Sequence, residues 1–472
     1  MELITKIVAA VNDVLWNKQL LLLFLLLGTG IFYSIRTRFV QVRKFGQGCR
    51  QLFGSISLSG DKAGKEGMSS FQALTTAIAA QVGTGNISGC ATALYSGGPG
   101  AIFWMWVSAF FGMGTIFSEA VAAQKYKATL EDGTVIGGPA YYIKAAFKGK
   151  LGSGLANAFS IFLIVGFGLA AALIQGNTIS EAFSYSLNVP PIAIGVVVAI
   201  LTMIVVVGGR QRIASFVSTC VPLMSILYLA AGLIVVIVNI ENLGPAIKMI
   251  FVGAFNPRAV AGGMFGVGIK EAMRYGIARG LFSNEAGTGS TPHAHAVAKV
   301  KHPCDQGIVA MMSVFIDTFI ILNMTVLIIL TSGAYTTGQD GIVLTQIAFS
   351  NVFGNIGHIL ISICIFFFSF STIIAGYFYG QSNVLKLFGN KGVMPYNVFI
   401  AIFVLLGAGA SVSLVWSICD VFNGFMVVLN ILGLWGISNV VVRLWKEYQS
   451  DPDLPTTLKD VKAAKEAAKA EK

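Results

Sequence analysis

Long apolar runs separated by short polar or basic segments set the hydrophobic pattern of this chain. Eleven of them, at approximately 17–35, 69–95, 99–124, 153–187, 190–208, 213–239, 257–281, 306–332, 352–380, 394–410 and 412–443, match or exceed the ~20 residues that cross a bilayer as a helix, or come close to it. The pattern predicts an all-α polytopic membrane protein of about 11 transmembrane helices. The first run stands apart, and the other ten divide into five plus five. An odd number in each half inverts the second relative to the first, which is a common transporter architecture. The similarity between the halves is faint, so topology rather than sequence carries this repeat. The organisation read from it is an N-terminal helix with a basic linker (1–68), two five-helix repeats (69–239 and 240–449) and a basic tail (450–472).

The second run is interrupted. Val82-Gly83-Thr84-Gly85-Asn86 places two glycines and two polar residues amid apolar sequence, and Gly97-Gly98-Pro99-Gly100 comes soon after. Lipid offers no water to the backbone groups such a break releases, so the break belongs against a protein-enclosed cavity. Helix halves that end at mid-membrane bind ions and substrates in transporters. The carbonyls of Ala79 and Val82 then point into the break, and the amides of Thr84 and Gly85 open the next half. Carbonyl ends attract cations and amide ends attract anions. A zwitterionic amino acid beside Na⁺ suits that pair. A glycine contact between helices is the simpler account, but Gln81, Thr84 and Asn86 favour binding.

Composition agrees with a membrane protein. Hydrophobic residues make up 55% and charged residues 11%, against about 25% charged in soluble domains; mean hydropathy is +0.76. The net charge of +11 reflects topology rather than nucleic-acid binding. Arg and Lys concentrate at 36–65, 125–150, 210–212, 299–301, 386–391 and 443–472, and are missing from the loops around 96–100, 188–191, 333–352 and 408–412. This is the positive-inside pattern, and it predicts an external N-terminus and a cytoplasmic C-terminus. The six cysteines are scattered, without a C-x-x-C pair, and read as buried thiols rather than a disulfide framework.

Three further groups could carry chemistry. Phe368-Ser369-Phe370-Ser371-Thr372 lies near the middle of the ninth run, where hydroxyls either bond back to a carbonyl one turn earlier or serve as hard oxygen ligands for a small cation. Asp317 lies halfway along the eighth run, at a depth where an ionisable residue costs about 2.5–3.5 kcal/mol or more and is functional by default. Asp420 lies in the last run, whereas Glu119 and Glu181 sit nearer run ends and read as interfacial. In the seventh run, Gly262-Gly263-Met264-Phe265-Gly266-Val267-Gly268 is the expected break, because charge density rises after it. Residues 286–290, whose Gly-Thr-Gly-Ser echoes the first break, are the alternative. Residues 282–304 otherwise read as a polar connection, and 125–150 as a connection holding a short surface helix. His293 and His295 read as surface or packing residues. The sequence shows no metalloprotease spacing, nucleophile elbow or nucleotide loop, so no enzyme is expected.

Gly97-Gly98-Pro99-Gly100-Ala101-Ile102-Phe103-Trp104-Met105-Trp106-Val107-Ser108-Ala109-Phe110-Phe111-Gly112 resembles the signature of the alanine or glycine:cation symporters (sodium:alanine symporters). Ala278-Arg279-Gly280-Leu281-Phe282-Ser283-Asn284-Glu285-Ala286-Gly287 and Phe370-Ser371-Thr372-Ile373 are similar to motifs of the same family. The resemblance covers nearly the whole chain. It implies a leucine-transporter type fold, with discontinuous helices in two inverted repeats around a central site. It also implies sodium ligands at Ala79, Val82, Phe368, Ser371 and Thr372, and a substrate carboxylate on the Thr84 and Gly85 amides. The substrate-binding set is then Gln81, Gly83, Thr84, Gly85, Asn86, Gln175, Phe265 and Gly266. Asp317 and Asp420 are the candidates for coupling or gating. One departure stands out: Gly89 occupies the position where that fold type carries an arginine, which denies Asp420 its usual outer-gate partner.

The function expected is sodium-coupled symport of small neutral amino acids, alanine and glycine first, by alternating access across the plasma membrane of a prokaryotic cell. The expected coupling ion is sodium, with no cofactor and no obligate protein partner. Proton coupling through Asp317 and a passive channel are the alternatives. A membrane scaffold or receptor would leave the mid-depth polar residues unexplained.

Overall fold

The computed structural model describes residues 2–17, 21–54, 67–256, 268–409 and 413–450. The expected break at 262–268, with Phe265 and Gly266, lies outside the described residues apart from Gly268, and so does the tail beyond 450. The helices that matter for the site are α1 (Glu2–Asn12), α2 (Leu21–Arg36), α3 (Ser70–Gln81), α4 (Cys90–Gly97) and α5 (Gly100–Lys125). They are followed by α6 (Pro139–Ala146), α7 (Ala171–Leu187), α8 (Gly209–Val238), α9 (Ile269–Asn284) and α10 (Pro292–Ala296). The last four are α11 (Pro303–Val314), α12 (Asn355–Phe388), α13 (Val393–Gly407) and α14 (Ser413–Gly436). A two-stranded antiparallel ladder, Ala128–Thr129 against Val135–Ile136, precedes α6.

The chain is all-α and multi-pass. Among the described residues, seven helical stretches are long and apolar enough to cross a bilayer. Pro191–Val207, one of the eleven expected runs, is among the shorter apolar helices, and Gly341–Phe353, read from sequence as part of a loop, is another.

Local sequence sets the helix ends. A reciprocal cap opens α3: Ser69 Oγ accepts from the Gln72 amide and Gln72 Oε1 accepts from the Ser69 amide, both at 3.1 Å. Pro303 opens α11, and Asp305 Oδ2 accepts from the His302 amide at 3.1 Å. Helix α9 ends where Glu285 turns left-handed, at φ 56°.

Helix-to-helix contact uses small residues, as expected where lipid supplies no hydrophobic drive. Gly276 and Gly280, one turn apart on α9, lie against α5. A Cβ at Gly276 would come within 2.2 Å of the Ala101 carbonyl oxygen, and one at Gly280 within 2.6 Å of Ser108 Oγ. This close approach aims the C-terminal end of α9 at the inner part of α5. Helix α6 is not the surface helix expected from sequence. Pro139, Ala140, Tyr142 and Ile143 are buried, and Tyr142 hydroxyl donates to Asn430 Oδ1 of α14.

Gly276→Leu should destabilise the protein in detergent, because its first side-chain carbon meets backbone; overpacking of this kind costs roughly 1–3 kcal/mol. Thermal unfolding followed by size exclusion checks this, with Gly28→Leu as the neutral control, since nothing lies within 4 Å of a Cβ there.

Candidate functional site

Two helix breaks meet in the protein interior. The first separates α3 from a π-helical turn at Gly85–Gly89 that leads into α4. Val82 leaves helical geometry at φ −80°, ψ 82°. Asn86 closes the break: its Oδ1 accepts from the Gly83 amide at 3.1 Å, and the Asn86 amide donates to the Gly83 carbonyl at 3.2 Å.

The second break is Glu285–Thr291, between α9 and α10. The alternative reading of 286–290 as a break is thus realised, and the polar connection expected at 282–304 is instead core: Ser283, Asn284, Glu285, Ser290, His293 and His295 are all buried. A carboxylate from another helix satisfies this loop. Gly287 and Gly289, at φ 89° and 83°, turn their amides toward Glu119 of α5. Glu119 accepts from them at 3.0 and 3.1 Å, and from Asn430 Nδ2 at 2.6 Å. Asn430 Nδ2 also donates to the Gly287 carbonyl at 2.9 Å. Glu119 is fully buried within the protein. His293 and His295 are packing residues, and Asn383 Nδ2 lies 2.8 Å from His293 Nε2.

The breaks hold each other. Gln81 Nε2 donates to the Asn284 carbonyl at 2.7 Å, and a Cβ on Gly85 would lie 3.4 Å from Ser283 Cα. Between them is a cavity lined by Gln81, Gly83, Thr84, Gly85 and Gln175 of the sequence-derived set. Gln175 Nε2 donates to Thr84 Oγ1 at 3.3 Å. Asn86 is absent from the lining; its side-chain amide donates instead to Asp317 Oδ1 at 2.7 Å. Sequence reasoning missed Trp16, Phe167, Glu285, Thr288 and Asn423, which also line the cavity. For Glu285 the signal was present: an acid in a Gly-rich segment that repeats the pattern of the first break.

A cluster of oxygens borders the cavity where α12 crosses the end of α3. Thr372 Oγ1 donates to the Ala79 carbonyl at 3.0 Å and lies 2.9 Å from the Phe368 carbonyl. Ser371 Oγ lies 3.4 and 2.9 Å from the same two carbonyls. A Cβ on Gly83 would fall 2.5 Å from Thr372 Oγ1, so only glycine lets the loop pass. The cluster's polar atoms are neutral oxygens, with the Met224 thioether 3.6 Å from Ser371 Oγ, a set that suits a small hard monovalent ion rather than a transition metal. Val82 is buried beside this cluster on the same loop.

Asp317 sits on a π-helical stretch, Phe315–Leu322. Besides Asn86, its carboxylate accepts from Ser283 Oγ at 3.2 Å and Thr318 Oγ1 at 2.9 Å. The site set thus separates into three neighbourhoods: the cavity, the oxygen cluster and the Asp317 pocket. Asp420 lies apart, in a second cavity with Arg274 and Arg279. Arginines of α9 therefore stand near Asp420 even though Gly89 supplies none.

Broken helices facing one another around a mostly apolar cavity with a few polar groups, and a neutral oxygen cluster at its edge, make the architecture of a membrane transporter. The chain belongs to the Sodium:alanine symporter family, which it matches over residues 1–460. It is similar to the "Sodium/alanine symporter AgcS" of Methanococcus maripaludis, with 38% identity over 448 residues, 94% of this chain and 96% of that one. It is similar also to the "Probable sodium/glutamine symporter GlnT" of Bacillus subtilis, with 37% identity over 95% of this chain and 91% of the other. The fold is that of MhsT, solved with L-phenylalanine: the TM-score is 0.54 at 14% identity, covering 82% of this chain and 99% of that one. The protein is a multi-pass sodium-coupled amino-acid symporter and not an enzyme.

Glu119→Gln should loosen the second break, because an amide offers donors to amides that already donate. The expected result is a clear fall in thermal stability that added Na⁺ does not restore, measured by unfolding in detergent with and without the ion.

Proposed function

We propose that this chain imports small neutral amino acids, alanine and glycine first, together with Na⁺, by alternating access. The observation that carries the reading is Thr372: it lines the substrate cavity and its hydroxyl reaches the Ala79 carbonyl at 3.0 Å. One residue thereby belongs to both the substrate cavity and the oxygen cluster. In this reading Ala79, Val82, Phe368, Ser371 and Thr372 bind sodium, and the substrate carboxylate meets the Thr84 and Gly85 amides. Glu285 and Gln81 face the ammonium group. The Lys and Arg distribution supports an external N-terminus and a cytoplasmic C-terminus, and segments 69–239 and 240–449 move as the two repeats. Alanine is also the substrate that the archaeal relative's name carries.

A second reading, proton coupling, rests on Asp317. Asn86, Ser283 and Thr318 are all neutral donors to it, so a proton or a cation would balance its charge.

Uptake of radiolabelled alanine into proteoliposomes under an inward gradient of Na⁺, K⁺ or H⁺ alone tests both. Accumulation with Na⁺ only is expected. Accumulation with H⁺ only moves the coupling to Asp317, and no saturable uptake under any gradient overturns the reading. Ser371→Ala and Thr372→Ala should each raise the Na⁺ concentration for half-maximal uptake about tenfold, the equivalent of ~1.4 kcal/mol. An unchanged value removes them as ligands.

A further inference from the structure

The helix that precedes the two repeats reaches the substrate cavity. Leu15, Leu22 and Leu26 pack with Ile277 and Leu281 of α9 and with Val427 and Ile431 of α14. Two side chains fix the start of this segment to α14: Asn12 Nδ2 donates to the Ser417 carbonyl at 2.8 Å, and Trp16 Nε1 donates to the Asp420 carbonyl at 3.0 Å. Trp16 sits on a π-helical turn, Asp13–Asn17, which turns it off the ordinary helical register.

Trp16 is part of two cavity walls. One is the substrate cavity; the other holds Arg274, Arg279 and Asp420, together with Tyr275, Ala278 and Phe282. Among the described residues, only Trp16 and Phe282 are common to both linings. The second cavity carries both signs of charge, as a vestibule for a zwitterion would, and the indole stands between it and the Thr84–Gly85 amides.

We propose that Trp16 is the lid residue between this charged vestibule and the substrate cavity, and that its indole sets the largest amino-acid side chain the symporter carries. The proposal rests on the symport reading above. A half-buried indole, held by one hydrogen bond to a backbone carbonyl and by packing at the margin of the Leu15–Leu22–Leu26 cluster, can swing aside while that cluster stays in place, whereas its ring occupies the space into which a longer side chain would extend. The constraint acts on the side chain alone, so sodium binding at the far edge of the cavity is independent of it.

The test uses the full chain in proteoliposomes under an inward Na⁺ gradient. Uptake of labelled alanine is competed with unlabelled leucine, methionine and phenylalanine, for the wild type, Trp16→Ala and Trp16→Phe. Trp16→Ala should lower the inhibitory concentration of the larger amino acids at least tenfold relative to alanine, with the Na⁺ dependence unchanged. Trp16→Phe should shift it in the same direction by less, and it decides the matter if Trp16→Ala does not fold. Selectivity indifferent to both substitutions overturns the proposal and leaves symport standing. A wild type that accumulates no amino acid under any gradient overturns the symport reading instead.

Discussion

The backbone released by two helix breaks, deep in a protein that lipid surrounds, is the constraint on which the rest of this structure depends. Each free amide or carbonyl there must find a partner within the protein. The chain meets this with a few long-range side chains. Asn86 caps its own break and holds Asp317, Gln81 crosses from the first break to the second, and Glu119 gathers the amides of Gly287 and Gly289. The glycine contacts of α9 on α5 bring Glu119 to that loop. Removing any of these partners strands polar groups where nothing replaces them, a cost of about 1–3 kcal/mol or more.

π-helical turns recur where side chains of the site leave their helices. Asp13–Asn17 holds Trp16, Gly85–Gly89 comes directly after the first break, Leu163–Ala170 holds Phe167, and Phe315–Leu322 holds Asp317. One extra residue in a turn rotates the succeeding side chains about the helix axis by about 100°, and such bulges gather at functional positions. They re-aim a side chain while the helix remains continuous through the apolar interior.

The sequence was informative where chemistry conflicts with lipid. Gly83 to Asn86, Asp317 and the Ser371-Thr372 pair are polar in apolar runs, and hydropathy alone exposes them. The second break was harder, because 282–304 is polar enough to pass for a connecting loop. Its burial depends on Glu119, some 170 residues earlier in the chain, and a linear reading has no access to that pairing. Trp16 was invisible for the opposite reason: an aromatic residue on an apolar helix looks like any lipid-facing side chain. The π-helical turns leave no mark on hydropathy either, and the facing of Trp16 is fixed by a contact some 400 residues away, its hydrogen bond to the Asp420 carbonyl.

In the proposed symport, the oxygen cluster would link ion and substrate without a large displacement. The hydroxyls of Ser371 and Thr372 are directed at the Ala79 and Phe368 carbonyls. A cation drawn into this cluster would take those carbonyls for itself and turn the hydroxyl hydrogens away. Thr372 has little freedom to yield, because the Gly83 backbone passes so close that a single added carbon would collide with its hydroxyl. Any adjustment is therefore transmitted to the loop that carries the Thr84 and Gly85 amides. Coupling of this kind is reciprocal: if the ion orders the loop for the substrate, a bound substrate raises the affinity for the ion by the same factor. The glycine at position 83 is what makes that transmission short, since it lets the helix end, the Thr372 hydroxyl and the Thr84 and Gly85 amides share one small volume.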